Sequence, residues 1–136
     1  MRIIEGKLTS PFGTRIHPVT KEKSFHNGID IACPIGTPVC APGNGRVEQI
    51  FSNEIGGLQM IISVSNERYG MAHLSECVLN EGDTFLLGEK IALSGNSGRT
   101  TGPHLHLTHK SGGKWVSGKY VGGNFIDPVE LWEKGL

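Results

Sequence analysis

At 136 residues the chain has the length of one domain and enough apolar material for its own core. Hydrophobic residues make up 37% and charged residues 19%, the composition of a folded chain rather than a disordered one. Basic and acidic residues balance at 13 each, so net charge points to neither nucleic acid nor an anionic membrane surface, and no apolar run reaches the roughly 18 residues of a bilayer span.

The opening MRIIEGKLTSPFG lacks the apolar centre of a secretion signal. The chain is therefore expected to leave the cell by another route or to be a domain of a longer protein. Twenty glycines, about twice the ordinary usage of about 7%, and seven prolines predict many turns and short strands. Strands are expected in order at 28–32, 37–41, 45–51, 58–64, 69–74, 90–93, 104–110 and 114–116. Between them lie the turn sequences PIGT (34–37), APGNG (41–45), EIGG (54–57), NEGD (80–83) and GNSG (95–98). One short helix is expected at the end, with Asp127 as its cap, Pro128 in its first turn and Gly135 as its stop. Val129, Leu131 and Trp132 would pack it on the sheet. The predicted architecture over residues 1–136 is all-β: a compact antiparallel β-sheet or β-sandwich-like domain with a short C-terminal helix.

Three cysteines, Cys33, Cys40 and Cys77, do not make a disulfide framework and read as small buried hydrophobes. No cysteine pair has the close spacing of a structural zinc site.

Six histidines remain to be explained. In the strand containing HLHLTH (104–109), side chains alternate faces, so His104, His106 and Thr108 share one face. Leu105, Leu107 and His109 share the other, and the leucines suit a core. Two neutral imidazoles side by side suit a transition metal. In FHNGIDIA (25–32), an extended chain points His26, Gly28 and Asp30 one way and Phe25, Ile29 and Ile31 the other. Glycine between the imidazole and the carboxylate leaves room for a metal or ligand. Alone this pair reads as a hydrogen-bonded His–Asp contact. Taken together, His26, Asp30 and one of His104 or His106 supply three N/O ligands, the pattern of a catalytic zinc site with an open fourth position. No HExxH motif supplies a glutamate base. His73, between Met71 and Leu74, reads by itself as a core histidine. Beside a metal, His73 and the spare imidazole of the 104/106 pair could instead move a proton and hold an oxyanion. His17, before Pro18, reads as part of a surface turn.

These motifs resemble the lysostaphin/LytM-type zinc endopeptidases of bacterial cell walls. The elements that carry the resemblance occur in order along nearly the whole chain: SPFGTRIHP (10–18), FHNGIDIA (25–32), GTPV (36–39), GRV (45–47), HLS (73–75), GNSGRTTGPHLH (95–106) and FIDPVEL (125–131). The resemblance implies one zinc ion held by His26, Asp30 and His106, with His73 and His104 as the catalytic pair. It implies a compact antiparallel β domain with its site in a groove between loops. It further implies hydrolysis of peptide bonds in peptidoglycan cross-bridges or stem peptides at the bacterial cell wall; a monomer is expected, and a lone domain of this size also suits a virion-associated enzyme. A non-catalytic wall-binding or virion module is the competing expectation, although such degenerate relatives have lost ligands and this chain keeps all five positions. Met71 stands where the family usually has an aromatic residue. Cys33 and Cys40 also depart from the pattern near the metal motif, where they are expected to alter the groove.

Overall fold

The computed structural model describes residues 2–16 and 18–134. His17 and Gly135, read above as a surface turn and a helix stop, lie outside the described residues. The strands are β1 (Lys7–Ser10), β2 (Gly13–Ile16), β3 (Lys23–His26), β4 (Gly28–Ala32), β5 (Pro38–Cys40), β6 (Gly45–Asn53), β7 (Gly57–Val64), β8 (Glu67–Cys77), β9 (Thr84–Phe85), β10 (Lys90–Ser94), β11 (His104–Val116) and β12 (Lys119–Ile126). One helix, α1 (Val129–Lys134), ends the described chain.

Ten strands form one antiparallel sheet in the order β1-β4-β11-β8-β7-β6-β9. Strand β10 bridges β5 and β8, and β12 lies along β11. Strands β2 and β3 make a separate two-stranded ribbon, so the chain passes from ribbon to main sheet at Asn27. The expected all-β class and terminal helix are present.

The core covers one face of the sheet. Ile29 and Ile31 on β4, Leu105 and Leu107 on β11, Met60 and Ile62 on β7, and Met71 and Leu74 on β8 are all buried there. Alternation of apolar and polar residues therefore sets which face of β4 and β11 meets the core. Phe25 is an exception to the expected pattern. It belongs to the ribbon, is exposed, and meets Phe12 edge-on at 5.2 Å. Helix α1 is tied down as expected: the Asp127 carboxylate accepts from the Val129 amide at 3.0 Å, and buried Trp132 donates from Nε1 to the Ile4 carbonyl at 2.8 Å.

Two expected strands, at 104–110 and 114–116, are one strand. The intervening Ser111-Gly112-Gly113 looks like a turn, but Ser111 pairs with Asn124 and Gly113 with Gly122 of β12. Gly112 at φ 86 and Gly123 at φ 79 bend both strands together at this point. Strands β1, β2, β3, β9 and β12 were not expected, because each is short, polar or glycine-broken and has little period-two signal.

The cysteines are free thiols; Cys33 is buried while Cys40 and Cys77 are half-buried. The Cys33 Sγ turns to the Ile31 carbonyl on the core side, and Cys40 pairs with Lys90. Neither lines the groove described next, which corrects the expectation that they shape it.

Candidate metal centre and active site

An open groove of about 790 Å³ runs over the other face of β4, β11 and β8. His26, Asp30, His73, His104 and His106 all line it, so the five candidate residues share one site. Strand register does most of this work: His106 on β11 faces Asp30 on β4 and Ala72 on β8. Gly28 has a different role from the one expected. A Cβ there would lie 2.2 Å from the Leu107 carbonyl oxygen and 2.9 Å from the Thr108 methyl. Its space admits the neighbouring strand, not a ligand.

Asp30 is the hub. Its Oδ2 lies 3.4 Å from His26 Nε2, and its Oδ1 lies 2.8 Å from His106 Nδ1 and 3.8 Å from His104 Nε2. Burial pushes the Asp30 carboxyl upward, but the hydrogen bond and charge of His106, together with His26 and His104, outweigh it and hold the group below its ordinary range. The carboxylate is therefore ionised at neutral pH.

Backbone and amide oxygens fix the rings. His26 Nδ1 donates to the Pro11 carbonyl at 2.9 Å, which leaves Nε2 bare toward Asp30. His106 Nε2 meets Asn27 Oδ1 at 3.1 Å. On its other side His106 Nδ1 lies 2.8 Å from Asp30 Oδ1, in hydrogen-bond contact. A metal ion bound there would take the place of the proton on Nδ1. Ligand atoms of His26, Asp30 and His106 all lie within 4.8 Å of one another. Tetrahedral zinc with bonds of about 2.0–2.1 Å needs ligand atoms about 3.4 Å apart, so this N/O/N set fits zinc with small adjustments. Asn27 was missed in the sequence; its only signal is a polar amide between His26 and Gly28, at the crossing between ribbon and sheet.

The remaining two rings form a second pair. The His73 and His104 rings lie tilted against each other with centroids 4.7 Å apart, and those of His26 and His106 likewise at 5.0 Å. His104 Nδ1 donates to the Gly102 carbonyl at 2.8 Å and His73 Nδ1 to the Ser97 carbonyl at 2.7 Å. Both therefore keep Nε2 as the basic nitrogen. Burial pushes His73 down and the neighbouring imidazoles add to this, against the Ser97 bond and Asp30, so the ring stays neutral.

His73 reaches the groove through a bulge. Simple alternation from buried Met71 would send it into the core. Instead its φ is 63°, and the pairing with β7 slips between Leu58 and Met60. Ala72 and His73 then both face the groove, and Leu74 returns to the core. The His73 amide donates to the Gly56 carbonyl at 2.8 Å. Ser97 Oγ donates to the Leu74 carbonyl at 2.6 Å and accepts from the Leu58 amide at 3.0 Å, which braces the bulge. His109 lies on the opposite face of β11, as expected, bound to Glu67.

Residues 24–118 match the model of peptidase family M23. The chain belongs to this family. M23 enzymes are zinc-dependent metallopeptidases, and the His26–Asp30–His106 cluster is a group able to hold a metal ion. The chain is 45% identical over 104 residues to peptidoglycan DD-endopeptidase ShyA of Vibrio cholerae, covering 74% of this chain and 24% of that protein. A zinc-containing peptidase from Vibrio cholerae superposes with a TM-score of 0.71 at 36% identity, over 85% of this chain and 35% of that one. The catalytic domain of lysostaphin from Staphylococcus simulans gives a TM-score of 0.76 at 26% identity, over 94% and 92% of the two chains. The chain thus spans about a quarter of the length of the curated relatives it matches. The M23 fold accounts for the large antiparallel sheet with one short terminal helix.

Proposed function

We propose that residues 1–136 act as one peptidase domain that hydrolyses peptide bonds in the cross-bridges or stem peptides of bacterial peptidoglycan. The residues that hold its single zinc ion are His26, Asp30 and His106, and His73 and His104 are the catalytic pair. The observation that carries this reading is the pairing of the rings. Three ligand atoms lie within 4.8 Å of one another, and two imidazoles whose Nδ1 atoms are taken by backbone carbonyls stand beside them.

Zinc bound there supplies Lewis acidity toward the scissile carbonyl and lowers the pKa of the attacking water. The protein does the rest. Asn27 and the Pro11 carbonyl hold the ligand rings so that they present lone pairs. One of His73 and His104 accepts the water's proton at Nε2. The other, once it carries a proton there, donates to the oxyanion of the tetrahedral intermediate. The open groove accepts an extended peptide along the strands. All five residues come from one chain, so a monomer suffices. The place of action is the cell wall, outside the cytoplasm; among the described residues, no helix is long and apolar enough to cross a membrane.

Purified cross-linked peptidoglycan, incubated with the protein with and without a chelator, tests this. New amino termini should appear, stop with chelator and return with added zinc, and mass spectrometry of the fragments identifies the bond. Binding to the wall without any released termini would overturn the proposal in favour of a non-catalytic wall-binding or virion module.

A further inference from the structure

At one end of the groove, four residues along the ladder from the His106–Ala72 rung, Arg68 of β8 lies directly opposite Lys110 of β11. Like charges facing each other across a ladder destabilise it unless something neutralises them. Among the described residues, neither cation has an ion pair. Each instead lies against the ring of Phe125, with the Arg68 guanidinium carbon 6.0 Å and the Lys110 ammonium 5.2 Å from its centroid. A ring face offers either cation much less than a carboxylate would.

Arg68 is also incompletely satisfied. Its Nη1 is buried and has no hydrogen-bond partner among the described residues, a state that ordinarily costs free energy. The guanidinium has been given room. Gly70, which also lines the groove, lies between Arg68 and the metal cluster, and a Cβ there would come 3.8 Å from Nη1 and 2.6 Å from Thr108 Oγ1. The groove's other two arginines differ: Arg15 and Arg99 are exposed, and Arg15 donates to Ser10 Oγ.

We propose that Arg68, backed by Lys110, is a carboxylate-binding subsite that makes this domain selective for peptides with a free acid close to the scissile bond. The inference rests on the peptidase reading above and adds the chemical class of substrate. Its reach follows from the register. Arg68 stands four residues from Ala72, but its Nη1 reaches back beside Gly70, and the Gly70–Thr108 rung is two residues from the Ala72–His106 rung, about 7 Å at roughly 3.3 Å per residue. An extended substrate covers the same distance in two residues, so the recognised carboxylate belongs to one of the two residues nearest the cleaved bond. The planar fork of Arg68 can bind it through two parallel hydrogen bonds, and Lys110 adds charge.

The test uses cross-linked stem peptides freed from purified wall, either with carboxylates intact or with those carboxylates converted to amides. Binding is measured by calorimetry on the zinc-loaded His104→Ala protein, and KM and kcat are measured on the zinc-loaded parent. The acid peptide should bind roughly tenfold or more tightly than the amide, with the difference in KM. Arg68→Gln should abolish that preference, and Arg68→Lys should retain part of it. Should Arg68→Gln fail to fold, the two peptides on the parent protein still decide the matter. Cleavage of both peptides with equal KM overturns the subsite and leaves the peptidase reading standing. Carboxylate-dependent binding without cleavage of either peptide does the reverse. Equal binding and no cleavage overturns both.

Discussion

Strand β11 carries two histidine–carboxylate contacts of nearly equal length on its two faces. His106 lies 2.8 Å from Asp30, and His109 lies 3.0 Å from Glu67. The second contact is closed. Glu67 also accepts from Ser111 Oγ at 2.9 Å, and the His109 ring stacks on Tyr69 at 4.4 Å. Burial, with the charge of Glu67 and the nearness of Tyr120, pushes the Tyr69 phenol up to about 12, so it stays neutral. Around Asp30, by contrast, three imidazoles converge on one carboxylate. A short His–carboxylate distance is therefore no sign of a metal site; the number of donors left over after local hydrogen bonding is.

Four changes would sharpen or break this contrast. The largest effect is expected from His106→Ala or Asp30→Asn, which should lose stoichiometric zinc and all wall hydrolysis while His109→Ala keeps both. Metal analysis of the purified variants reads this directly, and equal zinc in His106→Ala would end the distinction between the faces. Next, His73→Ala and His104→Ala should keep zinc but lose about 10²–10⁴-fold in kcat. Because burial holds His73 below its ordinary 6.5, that ring stays neutral to lower pH. With His73 as the base, the acid limb of kcat/KM falls below 6.5 in a pH–rate profile, and a limb at or above 6.5 assigns the base to His104 instead. Third, Asn27→Ala should weaken zinc about 10–100-fold through loss of ring orientation, measured by chelator competition. Smallest, Glu67→Gln should leave zinc and kcat unchanged and cost only about 1–2 kcal/mol in denaturant unfolding, because it weakens a closed contact.

The difference between the faces was legible in part. Alternation of Leu105 and Leu107 with His104 and His106 predicted which side of β11 would meet the core, and Ile29 and Ile31 did the same for Asp30. Those strands are half-buried, and half-burial writes a period of two. The position of His73 was not legible, since a bulge breaks that period and its neighbours Met71 and Leu74 are apolar. Nor were β12 and the ribbon, whose exposed residues and paired glycines carry no alternation. Arg68 and Asn27 escaped for another reason. Their roles depend on partners across the sheet, and single-strand patterns hold no information about a neighbour's register.

The backbone at His73 has a consequence for how this domain could evolve. An L-residue at φ 63 is strained, and glycine would relieve that strain at once. His73→Gly should accordingly be more stable than His73→Ala by about 1 kcal/mol in denaturant unfolding, although neither has an imidazole to offer. Random drift toward a sturdier fold thus leads away from hydrolysis at this position. Relatives that have given up catalysis are expected to be the ones that carry glycine there.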